Sequence, residues 1–234
     1  MEAPFFYDDT IQPRAIHIAL KEDASRHIVR VLRMKKDDEL MLTNGKGNLL
    51  TAKIDSADVK KCTVKIIQSI EVPRPVTAIT IAISLIKNAS RFEWFLEKAA
   101  EIGVSQVIPL ICERTEKQQY RESRMQGILI SAILQSRQVW LPHLNPVTAF
   151  KDFIKQPSAT QKFIAHCETG LEKNPLARYK PFQSSVILIG PEGDFTLNEI
   201  SEALHNDFLP VSLGETRLRT ETAGIVASAL LQNI

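Results

Sequence analysis

The chain reads as a mixed α/β protein in two parts: a small β-barrel with one helix, then a parallel sheet covered by helices. Three observations carry that reading. Short alternating segments separated by turn signals fill residues 1–71. The run Val72-Pro73-Arg74-Pro75 then restricts the backbone and removes two amide donors, which suits a stiff linker. From residue 76 to residue 234, buried-type apolar runs alternate with helical periodicity, the pattern of strands packed between helices.

In the first part the candidate strands are residues 16–20, 39–42, 49–54 and 62–70, with a helix over 24–32. Asn44-Gly45-Lys46-Gly47 joins the second strand to the third, because asparagine and glycine tolerate positive φ. In the second part Ile79-Thr80-Ile81-Ala82-Ile83 is β-branched and reads as a buried strand. Ser90 and Glu93 fit a capping box for a helix running to Glu101, with Phe92, Phe95, Leu96 and Ala99 on its apolar face. Gly103 ends that helix, and residues 107–110 form the next strand. A helix over 124–139 follows, ahead of Pro142. Residues 163–165 and 186–189 are short buried strands, Thr196 with Glu199 caps another helix, and an apolar helix ends the chain.

Composition narrows the function classes. With 44% apolar residues in 234, the chain has enough for an ordinary soluble core. No stretch approaches the roughly 20 apolar residues that cross a bilayer. The N-terminus is acidic where a signal peptide is positive, so a cytoplasmic protein without a membrane partner is expected. Cys62, Cys112 and Cys167 are far apart and match no zinc spacing, so free thiols at least partly buried, and no metal, are expected. The net charge of +2 says little, but residues 14–36 hold Arg14, Lys21, Arg26, Arg30, Arg33, Lys35 and Lys36 against Glu22 and Asp23. Such a patch suits a phosphate backbone or a solvated helix face.

Open parallel sheets bind ligands in the loops beyond their strands' C-terminal ends. One such loop holds His166-Cys167-Glu168, a second reads Gly190-Pro191-Glu192-Gly193-Asp194-Phe195, and a third runs from Leu213 to Ala223. The second is neither a dinucleotide fingerprint nor a triphosphate loop. His166 can be a satisfied core histidine, and Arg217 and Arg219 can be surface charges. Two arginines and three hydroxyls beside an apolar helix are nevertheless hard to explain as packing alone.

In order along the chain, these residues resemble the bacterial ribosomal RNA uridine-N3 methyltransferases of the RsmE family, in the SPOUT superfamily. His27-Ile28-Val29-Arg30-Val31-Leu32-Arg33 is similar to the family's H-x-x-x-V-L-R segment. Lys87, Arg91 and Glu93, followed by Lys98-Ala99-Ala100-Glu101-Ile102-Gly103-Val104, resemble its K-x-x-R-x-E helix. Ile189-Gly190-Pro191-Glu192-Gly193 and Leu213-Gly214 with Leu218-Arg219-Thr220-Glu221-Thr222-Ala223 match its two most specific motifs. Three departures stand out: no arginine precedes Phe5-Phe6, Gln135-Ser136-Arg137-Gln138 carries a shifted arginine, and Asp194 replaces a second glycine.

The resemblance implies a PUA-like RNA-binding β-barrel over residues 1–71 and a SPOUT α/β domain with a trefoil knot over 76–234. Knots are exceptions to ordinary chain topology, so no pattern of residues announces one. It implies S-adenosyl-L-methionine (SAM) as cofactor, held by His166, Ile189, Gly190, Pro191, Glu192, Gly193, Leu213, Gly214, Leu218, Arg219 and Thr220. It implies a homodimer acting on 16S ribosomal RNA or the assembled small subunit, with Arg26, Arg30 and Arg33 as RNA contacts. Uridine N3 must lose a proton, so Arg219 is the candidate to stabilise the resulting anion and Glu221 a candidate base. Arg219 can equally hold a phosphate, and Glu221 can pair Arg217 or cap the last helix. A SPOUT enzyme acting on another RNA position and a non-catalytic ribosome-assembly factor are the alternatives.

Overall fold

The computed structural model describes residues 3–12, 15–116, 120–156, 159–179 and 184–232. By internal contacts it divides into two units, Met1–Arg74 with Ile133–Leu141, and Pro75–Ala132 with Pro142–Ile234.

The first unit holds β1 (Phe5–Tyr7), β2 (His17–Ala19), α1 (Glu22–Arg26), β3 (Glu39–Thr43), β4 (Asn48–Ser56) and β5 (Thr63–Glu71). They form one sheet in the order β1-β3-β4-β5-β2, antiparallel except for the β1–β3 pair. Alternation sets which face is buried: Leu50, Ala52 and Ile54 of β4 point inward and join Ile28, Leu40, Leu42 and Val64 in one core. The helix begins at Glu22 and widens into a π turn over His27–Val31 before Arg33 takes a left-handed φ of 55°. The β3–β4 turn uses Gly47 at φ 89°, with the ring of Trp140 standing where a Cβ would be.

The second unit alternates β6 (Ile79–Ser84), α2 (Ala89–Ile102), β7 (Gln106–Ile111), α3 (Glu122–Gln135, of which the residues from Ile133 on belong to the first unit), β8 (His143–Leu144), β9 (Thr148–Ala149), α4 (Phe150–Phe153), β10 (Gln161–Ala165), β11 (Asn174–Pro175), β12 (Ser185–Ile189), α5 (Leu197–His205), β13 (Leu209–Ser212) and α6 (Thr220–Gln232). The sheet order is β11-β13-β10-β12-β6-β7-β8, with β9 also on β7, and every pairing is parallel. One face packs Ala82, Ile164, Val186 and Leu188 against Phe150, Phe195, Ile200 and Phe208. On the other, α2 and α6 lie side by side. Arg91 meets Glu221 near their N-termini, and Gln232 Nε2 donates to the Gly103 carbonyl at their far ends, 2.6 Å away.

Three local readings are corrected. Asn88, not Ser90, caps α2 by accepting from the Ser90 amide, and Glu93 instead pairs with Arg124. The third helix stops at Gln135, because Arg137 turns left-handed at φ 55° and Gln138 N returns to the Ile133 carbonyl. Strand β13 escapes a sequence reading because Pro210 interrupts a four-residue run.

For the site, the register matters most. Ala165 lies opposite Ile189 on one side and Val211 on the other, so the loops leaving β10, β12 and β13 emerge at one edge. Among the described residues no helix is long and apolar enough to cross a membrane, and no metal-ligating group of three side chains occurs.

Candidate functional site

Those three loops enclose a cavity of about 530 Å³. Of the residues singled out from the sequence, His166, Ile189, Gly190, Pro191, Glu192, Leu213, Gly214, Leu218, Arg219 and Thr220 line it. Gly193 does not: its carbonyl turns away to accept from Arg114 Nη1 at 2.7 Å. Backbone reaches the cavity wall where side chains are missing. Gly214 sits at φ 145° with nothing within 4 Å of where its Cβ would be, and at Gly190 a Cβ would press to 3.1 Å from the Phe195 ring.

The loops are held by specific bonds. Thr196 and Glu199 form the full capping box at the start of α5. Glu199 also accepts from the Glu113 amide at 2.8 Å, and Glu192 accepts from the Lys87 amide at 3.1 Å. Lys173 donates to the carbonyls of His166 and Glu168 at 3.1 and 2.8 Å. His166 itself is only 7% exposed, and neither ring nitrogen has a partner among the described residues. Burial, then the nearby Lys173 ammonium, holds its imidazole below the usual histidine range, so the ring is neutral at neutral pH. Lys173 and Arg114 carried no signal in the sequence.

A second, more open concavity of about 610 Å³ lies beside the first and shares Arg217, Leu218 and Arg219 with it. Its other walls are Ser90, Arg91, Trp94, Glu221 and Thr222, and Trp94 is 46% exposed. Glu221 is 6% exposed and pairs with Arg91 at 3.6 Å rather than with Arg217. Its Oε2 is buried and has no hydrogen-bond partner among the described residues. The site therefore has two adjoining hollows, the second the more open, which share one short arginine-bearing segment of wall.

The N-terminal cations divide. Arg26 is engaged by Glu22 at 2.6 Å and Lys21 by Asp9 at 2.5 Å. Arg30, Arg33, Lys35 and Lys36 are exposed. Arg14 lies outside the described residues.

The thiols also differ, correcting the expectation that all three are at least partly buried. Cys62 and Cys112 are buried and Cys167 is exposed at the cavity. Burial raises the Cys62 thiol and pushes Cys112 up to about 12. Since the thiolate is the reactive form, a chromogenic disulfide should react promptly with one thiol in the folded protein and with all three after denaturation. Prompt reaction of two would contradict this placement.

Comparison with known proteins places this geometry. The model of an RNA methyltransferase domain matches residues 72–232, and that of an RNA methyltransferase PUA domain matches residues 20–67. The ribosomal RNA small subunit methyltransferase E of Synechocystis is 35% identical over 214 residues, 87% of this chain and 68% of the relative. A solved protein of Porphyromonas gingivalis is 39% identical with a TM-score of 0.88, covering 96% of this chain and 95% of its own. The ribosomal RNA small subunit methyltransferase E of Neisseria gonorrhoeae, solved bound to S-adenosyl methionine, is 28% identical with a TM-score of 0.85. That match covers 99% of this chain and 98% of the other.

Proposed function

The chain belongs to the RNA methyltransferase family, in its ribosomal RNA small subunit methyltransferase E branch, and on that premise we propose that it methylates N3 of a uridine in 16S ribosomal RNA. The observation that carries the reading is the shared wall: Arg217-Leu218-Arg219 lines both the loop cavity and a more open, arginine-lined groove beside it. A methyl donor and an RNA base need that adjacency.

The loop cavity fits SAM in size and in chemistry. Ile189, Val211, Leu213 and Leu218 offer apolar contact for a purine, and Gly190 and Gly214 let backbone approach the ligand. The ring of His166, whose buried nitrogens have no partner among the described residues, is the candidate polar contact, and a neutral ring does not repel a cationic ligand. When bound, SAM supplies an electrophilic methyl group on a sulfonium sulfur.

The chain's own residues do the rest. Arg219, facing both hollows, is placed to donate hydrogen bonds to O2 or O4 as negative charge builds on the uracil. Glu221, which lines the groove although its Oε2 is buried, is the candidate acceptor of the N3 proton. Exposed Trp94 offers a face on which a base can stack.

In this reading residues 1–71 grip RNA and residues 76–234 carry the chemistry, with the C-terminal segment passing through a knot. Ile225, Val226, Ala229 and Leu230 leave a half-exposed apolar stripe on α6, and a second copy of the chain is the proposed cover.

The deciding experiment supplies labelled SAM to small ribosomal subunits from a strain lacking this activity, followed by nucleoside mass spectrometry. Appearance of 3-methyluridine supports the proposal, whereas a 2′-O-methylated nucleoside or no product refutes it. The Arg30→Ala, Arg33→Ala double variant should weaken RNA binding and flatten its dependence on log salt by about two, leaving SAM affinity intact. An equal loss of SAM affinity would contradict that separation of roles.

A further inference from the structure

Asp194 occupies a position that glycine suits better. Its φ is 63°, a left-handed conformation that aspartate and asparagine tolerate more readily than other L residues. What the side chain does there is visible. Oδ1 accepts from its neighbour Phe195 N at 2.8 Å. Oδ2 reaches from the loop after β12 to the loop after β10 and accepts from Cys167 N at 2.7 Å.

That second bond fixes the residue next to His166. From the other side, Lys173 holds the His166 and Glu168 carbonyls. The backbone on either side of the imidazole is thus held by an anionic side chain at Cys167 and a cationic one at His166 and Glu168. His166 is more than nine-tenths buried at the cavity wall, and neither of its buried ring nitrogens has a partner among the described residues. Buried polar atoms are costly to leave unpaired, so a ring fixed in that state is explained by a ligand that pairs it.

We propose that Asp194 is a positioning residue for the cofactor: by fastening the Cys167 amide it holds the His166 imidazole where a ring nitrogen hydrogen-bonds bound SAM. The proposal rests on the methyltransferase reading above. A merely structural role is a poor account, because the Cys167–Asp194 bond lies at an exposed position where water would serve the amide equally well. Its effect falls instead on preorganisation, since a loop ordered before binding need not be ordered by the ligand.

The test is calorimetric SAM binding to the wild type, D194G, D194N, H166A and D194G/H166A. D194G keeps the left-handed turn and deletes the bond. It should weaken SAM binding about tenfold, a loss appearing in KM for SAM and not in kcat. D194N should recover most of the affinity, because its amide oxygen accepts the same bond. In the H166A background D194G should add less than about a twofold loss, since the two act through one contact. Hydrogen exchange of the Cys167 amide, measured without SAM, should be faster in D194G.

Wild-type affinity in D194G, or full additivity of the two losses, would overturn the proposal. A wild-type chain that binds no SAM would bring down the methyltransferase reading along with it, and that outcome is separable because it needs no variant.

Discussion

Arg219→Ala should lower methyl transfer to small-subunit RNA by about 10²–10³-fold while changing SAM affinity less than about tenfold. The asymmetry follows from where the side chain sits. Arg219 lines the cofactor cavity, but it brings a cation to a ligand that is itself cationic, so its removal forfeits little ground-state binding. On the other wall it faces the groove, where uracil N3 must shed a proton and leave charge on O2 and O4. A donor aimed at charge that exists only near the transition state acts on kcat, not on binding. Arg219→Lys should recover part of the rate, since an ammonium keeps the charge and loses the planar fork. Single-turnover rates read by 3-methyluridine formation, alongside calorimetric SAM binding, make the check. A rate within tenfold of wild type would remove Arg219 from the chemistry. Glu221→Gln, assayed in parallel, tells whether the unpaired carboxylate oxygen takes the proton or serves only to hold Arg91.

Much of this architecture was legible because the relevant signals are local. Alternation in β4, the Thr196–Glu199 box and the Gly103 terminus each depend on residues a few positions apart, and each forms where the pattern places it. The three ligand loops were legible for a different reason: strand ends in a parallel sheet are where loops must gather. What escaped depends on distant partners. Glu93 looked like half of a capping box, but Arg124 lies within 2.5 Å and takes it. For Glu221 the sequence offers a base, a partner for Arg217 or a cap for the last helix, but not its ion pair with Arg91 on the neighbouring helix. Asp194 appears in the sequence only as a departure from a glycine pattern, because its bond is to Cys167, in the loop after the neighbouring strand. Gly193 belonged to a motif, yet the left-handed turn at Asp194 and the hold of Arg114 keep it out of the cavity.

Gly224→Val should destabilise the C-terminal unit by about 3 kcal/mol and lower its Tm by roughly 6–12 °C. Nothing about Gly224 itself demands glycine, since it lies within α6 and glycine weakens a helix relative to alanine. The demand comes from its neighbours. A Cβ there would stand 2.6 Å from the Phe95 ring of α2 and 3.0 Å from Ile83 of β6. Phe95 and Ile83 are fully buried, so neither can swing aside into solvent. Valine adds two further methyls to that collision, and relief requires α6 to lift from α2 and the sheet. Such a shift would reach the site, because Glu221 and Thr220 open the same helix. SAM affinity should therefore fall along with stability. Gly127→Ala is the matching control: this glycine is exposed within α3 and nothing lies within 4 Å of its Cβ position. Alanine there should stabilise by about 0.5–1 kcal/mol, so a thermal scan should move the two variants in opposite directions. Equal and small shifts would mean that α2 and α6 are not packed as closely as Gly224 requires.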